Sequence, residues 1–272
     1  MFIGEIGINH NGSIATTKAM IDMAVRAGID VVKFQKRNPD ICIPEHQKWK
    51  MKDTPWGDMH YINYKKKIEF GKEEYDEIDS YCQEKGIHWA VSVWDTDSVH
   101  FIREYKTPFI KIPSAKITDI NLIREACLLR KPIMISTGMS TEAEIDAAVK
   151  EIERHDIPLT IMHCNSSYPA KDHELNLSYI KVLKTNYPLH TIGYSGHEEG
   201  ISASIIATHL GAEVIERHIT LSRSMWGTDQ SASLVFDQLY RLVRDIKKVP
   251  IWIGDGKKII TEEEEKKREQ LR

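Results

Sequence analysis

Short apolar runs and amphipathic stretches alternate along the whole chain. The apolar runs fall near residues 2–8, 30–35, 88–93, 109–112, 132–136, 159–163, 190–194 and 213–219. Each is followed by a stretch with helical spacing of its apolar positions: 13–28, 72–86, 97–105, 119–130, 141–156, 175–187, 199–210 and 234–248. Eight strand–helix units of this length predict an α/β fold, a (β/α)8 TIM barrel in a single domain. A doubly wound open sheet accommodates the same alternation and is the alternative. Gly28 and Gly86 stand where helix C-caps belong, and Thr141 with Glu144 forms a capping box.

One connection breaks the rhythm. Residues 36–71 carry Trp49, Trp56, Tyr61 and Tyr64, and a loop of that length after a barrel strand reads as an active-site cover or a structural flap. The barrel domain is expected over 1–260 and a charged tail over 261–272, where Glu-to-Lys/Arg pairs at i,i+4 suggest a solvated helix.

Composition narrows the function classes. A formal net charge of −3 over 272 residues gives no electrostatic case for nucleic acid or an anionic membrane. Cys42, Cys82, Cys127 and Cys164 show no CxxC spacing, so neither a zinc ribbon nor a disulfide framework is expected. Met-Phe-Ile-Gly-Glu runs straight into a strand pattern without a signal-peptide profile, and no apolar run is long enough to span a bilayer. A cytoplasmic protein is the expectation.

The chemistry gathers at the strand ends. Ser195-Gly196-His197 closes the seventh run and Glu216-Arg217-His218 the eighth. In a closed parallel barrel those ends are neighbours, so the two imidazoles read as half of a divalent-metal site. Residues two apart share a face, which groups Glu216 with His218 and Lys33 with Gln35. Lys33 and Lys111 lie in apolar sequence, and Ser92, Ser114, Ser136 and Ser195 also sit at strand ends. Ammonium and hydroxyl donors together suggest a cradled anion; a Schiff-base aldolase is the competing reading for one lysine. Glu5, Glu216 and Asp229 could each be a general base, a partner orienting a histidine, or part of an internal ion pair. No P-loop motif is present.

Taken together, Gly4-Glu5-Ile6-Gly7-Ile8-Asn9-His10-Asn11-Gly12, Val32-Lys33-Phe34-Gln35, Ile110-Lys111-Ile112-Pro113-Ser114, Ser136-Thr137-Gly138-Met139, Met162-His163-Cys164 and Glu216-Arg217-His218 resemble the sialic acid (N-acetylneuraminate) synthase family. The resemblance covers nearly the whole chain, in order. It implies condensation of phosphoenolpyruvate with the open-chain aldehyde of an N-acyl hexosamine, with release of phosphate. It also implies a manganese, magnesium or cobalt ion on His197 and His218. Lys33, Ser92, Lys111, Ser114, Ser136 and Ser195 match the family's phosphoenolpyruvate site. Gln35, Ser166, Tyr168, Asp229 and Lys116 match positions around the sugar, with Glu5 and Glu216 near the reacting atoms.

Three features depart from the family pattern. Lys116 stands where an acidic residue is usual; it either meets a phosphorylated or acidic sugar or points into solvent. Ser166 replaces an expected asparagine beside Tyr168. The typical member also continues into a C-terminal antifreeze-like domain that supplies an arginine to the N-acyl group and much of the homodimer contact. A homodimer is still expected, and a separate protein carrying that domain is a possible partner. The alternatives are another phosphoenolpyruvate–aldose synthase, acting on mannose, a phosphorylated sugar or an octulosonate precursor, and a non-catalytic sugar-binding subunit.

Overall fold

A computed structural model describes all residues, 1–272. Eight parallel strands close into a barrel in chain order: β1 Phe2–Gly7, β2 Val31–Lys36, β3 His88–Val93, β4 Ile110–Ile112, β5 Ile133–Ser136, β6 Leu159–Cys164, β7 Thr191–Gly196 and β8 Val214–His218. β8 returns to β1, with Glu5 in register with His218. The open-sheet alternative is therefore excluded.

The helices between strands are α1 Ile14–Ala27, α2 Lys72–Lys85, α3 Thr96–Ile102, α4 Ile120–Cys127, α5 Glu142–Glu153, α6 Tyr179–Asn186, α7 Ser202–His209 and α8 Phe236–Ile253. Gly28 and Gly86 end α1 and α2 in the left-handed conformation that C-caps require. Thr141 and Glu144 open α5 with the expected reciprocal hydrogen bonds. The helix expected over 175–187 starts later: a 3-10 turn, Asp172–Glu174, precedes it, and α6 begins only at Tyr179. α8 runs five residues beyond its expected end and ends at Gly254.

Side chains alternate across each strand, which sorts the core into two parts. Helix-facing positions join a cluster of 49 buried residues between strands and helices. Inside the barrel, Ile3, Val31, Ala90, Phe109, Met134, Met162 and Val214 form a separate apolar cluster. The eighth strand position at that level is Gly193, where a Cβ would lie 2.2 Å from Met162 Sδ and 2.8 Å from the Val214 carbonyl oxygen. Glycine there lets Met162 fill the barrel's middle. This apolar floor stands one inward step, roughly 6.6 Å, below the level of the functional groups.

Residues 36–71 are not an irregular cover. They fold into turns of helix at Pro39–Cys42 and Glu45–Lys48, a small hairpin of Met51–Lys52 with Met59–His60, and a helix Tyr61–Ile68. Tyr64 is buried beside Ile8 and Ile68, while Trp49 and Trp56 stay exposed. The tail forms a fully exposed helix, Glu262–Leu271. Its internal ion pairs are Glu263–Lys266 and Glu265–Arg268, at i,i+3 where the sequence suggested i,i+4, and Glu264 pairs with Lys258 ahead of the helix. No helix is long and apolar enough to cross a membrane.

Candidate active site

Above the apolar floor, each of the eight strands contributes one inward side chain to a single layer: Glu5, Lys33, Ser92, Lys111, Ser136, Cys164, Ser195 and Glu216. All eight are buried. Strand parity causes this, since each lies two residues beyond a floor position on its own strand. The layer forms the base of a chamber of about 190 Å³, walled higher up by Gln35, Trp94, Pro113, Ser114, Ser166, Tyr168, His197 and His218.

The base is an ion-pair network. Lys33 Nζ lies 2.5 Å from Glu5 Oε2 and 3.7 Å from Glu216 Oε2, and it donates to Ser92 Oγ at 2.8 Å. Lys111 Nζ donates to Glu216 Oε2 at 3.1 Å, and Ser195 Oγ donates to Glu216 Oε1 at 3.0 Å. The two carboxylates differ. Burial favours the neutral form of both, but at Glu216 Lys111, Lys33 and Ser195 outweigh it and bring its pKa down to about 2. At Glu5 burial prevails over Lys33, and the nearby Glu216 charge adds to it, so its pKa is raised. Glu216 is thus the fixed anion and Glu5 the carboxyl that takes a proton more readily. Burial lowers the pKa of Lys111 despite Glu216, whereas at Lys33 the two carboxylates overcome burial and raise it. Both lysines are engaged with carboxylates, which disfavours the Schiff-base reading.

Gly7, at φ +55°, keeps the rim open at a crowded point. A Cβ there would sit 3.0 Å from Glu5 Oε1 and 3.2 Å from Gln35 Nε2. The rings of His197 and His218 stand with centroids 5.3 Å apart, and Tyr168 packs 4.0 Å from the former and 5.7 Å from the latter. His197 Nδ1 lies 2.6 Å from the Asn165 carbonyl oxygen, which assigns the proton to Nδ1 and a lone pair to Nε2. His218 Nδ1 is buried without a hydrogen bond, 3.8 Å from Asp229 Oδ2. Burial, with the His197 and Lys33 charges, drives the His218 pKa down to about 3 and leaves a neutral imidazole.

Nowhere do three or more His, Cys, Asp or Glu side chains gather in a metal-binding arrangement. The two imidazoles nevertheless fit a divalent ion that takes its remaining ligands from water and substrate. At His197 burial opposes positive charge, but Cys164, the Asn165 carbonyl and Glu216 favour it and prevail. The same field favours a cation on Nε2. The base below is formally balanced, two lysines against two glutamates, so an anionic substrate gains from added positive charge at this rim.

A second chamber, of about 330 Å³, continues from the first through shared Gln35, Trp94 and Tyr168. Asp229, Thr228, Tyr61, Gln47, Arg37 and Lys65 line it. The sequence-derived residues therefore gather in two joined spaces, with one exception. Lys116 lines neither: the 3-10 turn Ser114–Lys116 turns it to Asp119, 3.6 Å away. Sequence reasoning missed Trp94 and Cys164, although each stands two residues beyond an inward position. It also missed Arg37 and Lys65.

The sequence profile of the NeuB family matches residues 20–258. The chain belongs to the NeuB family. It is 37% identical over 247 residues to the N-acetylneuraminate-9-phosphate synthase of Drosophila melanogaster, covering 90% of this chain and 66% of that protein. It is 33% identical to the N,N'-diacetyllegionaminic acid synthase of Campylobacter jejuni, over 98% of this chain and 81% of that one. Among solved structures, the N-acetylneuraminic acid synthetase of Leptospira borgpetersenii, crystallised with citrate, superposes with a TM-score of 0.86 at 30% identity. That alignment covers 99% of this chain and 90% of the other. This NeuB-family chain spans about two thirds of the fly relative's length and more of the bacterial ones.

Proposed function

We propose that this chain condenses phosphoenolpyruvate with the open-chain aldehyde of an N-acyl hexosamine, giving a nonulosonic acid and phosphate. One observation carries the reading: two buried lysines and a ring of serines form the base of a chamber whose rim is a pair of imidazoles. Membership of the NeuB family supports it, because relatives named for sialic and legionaminic acid synthesis share the fold and a third of their residues.

Lys33, Lys111, Ser92, Ser114, Ser136 and Ser195 bind the phosphate and carboxylate of phosphoenolpyruvate. As the anion enters, it takes over the ammonium groups that Glu5 and Glu216 hold in its absence. Carbon 3 of the enol then bonds to the aldehyde carbon, and water adds at carbon 2. The bond from carbon 2 to the phosphate oxygen then breaks, and phosphate leaves with the electron pair and the proton of the new carbon-2 hydroxyl, so that carbon 2 becomes a ketone. A divalent ion bound by His197 and His218 would supply Lewis acidity at the aldehyde oxygen. Glu5, whose pKa is raised, delivers a proton to the new alkoxide. Glu216 stays ionised and keeps Ser195 aligned, and Glu5, having given up its proton, takes one from the added water. Gln35, Ser166, Tyr168 and Asp229 hold the sugar along the passage between the chambers.

The test is phosphate release from phosphoenolpyruvate with N-acetylmannosamine, its 6-phosphate, diacetamido hexoses, mannose and arabinose 5-phosphate. Each is assayed after chelation and again with manganese restored. Manganese-dependent release with a hexosamine is expected. Release only with arabinose 5-phosphate would move the chain to octulosonate-type synthesis, and none with any acceptor would overturn the reading.

A further inference from the structure

Two buried cations have no part in the chemistry above. Arg37 and Lys65 both line the second chamber, at 6% and 7% exposure. Arg37 leaves the end of β2, lies 5.4 Å from the Trp94 ring, and has its Nε 3.3 Å from Glu69 Oε2. Glu69 is already engaged: Lys36 Nζ is 3.2 Å from Oε1, which also accepts the Arg37 backbone N–H at 3.0 Å. One carboxylate thus serves two cations.

Lys65 has less. It comes from the helix Tyr61–Ile68 of the folded insert and makes no hydrogen bond or ion pair; its neighbours are the rings of Tyr61 and Tyr64, each 5.3 Å away. A buried ammonium held only by ring faces is costly to keep charged. Burial, and then the Arg37 charge, push its pKa down to about 7 against the weaker pull of Asp229 and Glu69. Asp229, the one acidic group that lines this chamber, has its Oδ2 3.8 Å from His218 Nδ1.

We propose that Arg37 and Lys65 form a subsite for an anionic group at the far end of the acceptor, a phosphomonoester or a carboxylate. The proposal rests on the synthase reading and deepens it. An acceptor with its aldehyde at His197 and His218 extends past Gln35, Trp94 and Tyr168, which line both chambers. Its terminal carbon then enters the space that Arg37 and Lys65 line. An anion there supplies the counter-charge that Lys65 lacks and gives the guanidinium a full partner.

The experiment compares kcat/KM for N-acetylmannosamine, its 6-phosphate and the corresponding C6 carboxylate, with manganese present. A ratio of acidic to neutral acceptor taken within one preparation is independent of the fraction correctly folded. The wild-type ratio is expected to be about tenfold or more, with the favoured acid distinguishing phosphate from carboxylate. Lys65→Gln and Arg37→Gln each lower that ratio about tenfold, and Lys65→Arg retains it. A wild-type ratio near one, or a ratio unmoved by both glutamine variants, overturns the subsite while leaving the synthase reading intact. Absence of turnover with all three acceptors and with the remaining acceptors of the wider panel removes both together.

Discussion

Glu216→Gln is the sharpest probe of the charge network at the chamber base. The carboxylate sits 3.1 Å from Lys111 Nζ and 3.7 Å from Lys33 Nζ and accepts from Ser195. At an effective dielectric constant of 20 those two contacts correspond to gross attractions of roughly 5 and 4 kcal/mol, before desolvation is charged against them. Removing one partner of a buried pair leaves the other uncompensated, at a cost of about 3–5 kcal/mol. Lys33 keeps Glu5, so Lys111 is the group left stranded. Lys111→Met leaves Glu216 with Lys33 and Ser195 and should cost less, and Lys111→Met/Glu216→Gln should cost at least about 2 kcal/mol less than the sum. Urea unfolding followed by tryptophan fluorescence measures all four proteins. Additivity within about 0.5 kcal/mol would refute the claim that this pair acts as one unit.

Glu5→Gln should lower kcat by about 100-fold or more while leaving the KM for phosphoenolpyruvate within a few-fold, as expected for loss of a proton donor; steady-state phosphate release checks this. His10 is buried against Phe70 at 4.1 Å, and its Nδ1 accepts from the Gly12 N–H. Burial and the Arg37 charge hold its pKa at about 3, against 6.5 when unfolded. The unfolded chain therefore binds a proton that the folded one refuses. This contribution to stability is whole above pH 6.5 and falls by about 1.4 kcal/mol per pH unit toward pH 3. Unfolding at pH 7, 5.5 and 4.5 reads it, and His10→Gln should flatten that slope. Gly193→Ala should destabilise the fold by about 1–3 kcal/mol by driving a methyl into Met162 and the Val214 carbonyl; an unchanged melting temperature would show that the floor yields.

Much of this site was legible because a barrel strand has a strict two-residue period. Once Glu216 and His218 were read as inward, Lys33, Gln35 and Glu5 followed from parity, and the structure gathers them as that parity requires. Cys164 and Trp94 obey the same rule; the cysteines were weighed only for CxxC spacing and tryptophan carries no charge, so neither was read as part of the site. Lys116 went astray because the chain leaves β4 into a 3-10 turn, where alternation no longer applies. Arg37 and Lys65 were hidden for another reason. The insert between β2 and α2 is built from two helices of four residues, one of eight and strands of two. Such elements are too short to print a period, and only their tertiary packing brings Lys65 beside the end of β2.

The floor of Ile3, Val31, Ala90, Phe109, Met134, Met162 and Val214 has a kinetic consequence. It makes the chamber a blind well with a single mouth, so traffic must pass in file. A small anion seated on the lysines lies beneath the sugar that follows it, and a sugar arriving first bars its way. For the proposed reaction this geometry predicts ordered loading, anion first. Phosphate formed at the bottom would then wait beneath the new sugar acid until that chain leaves, which predicts product exit as the slow step.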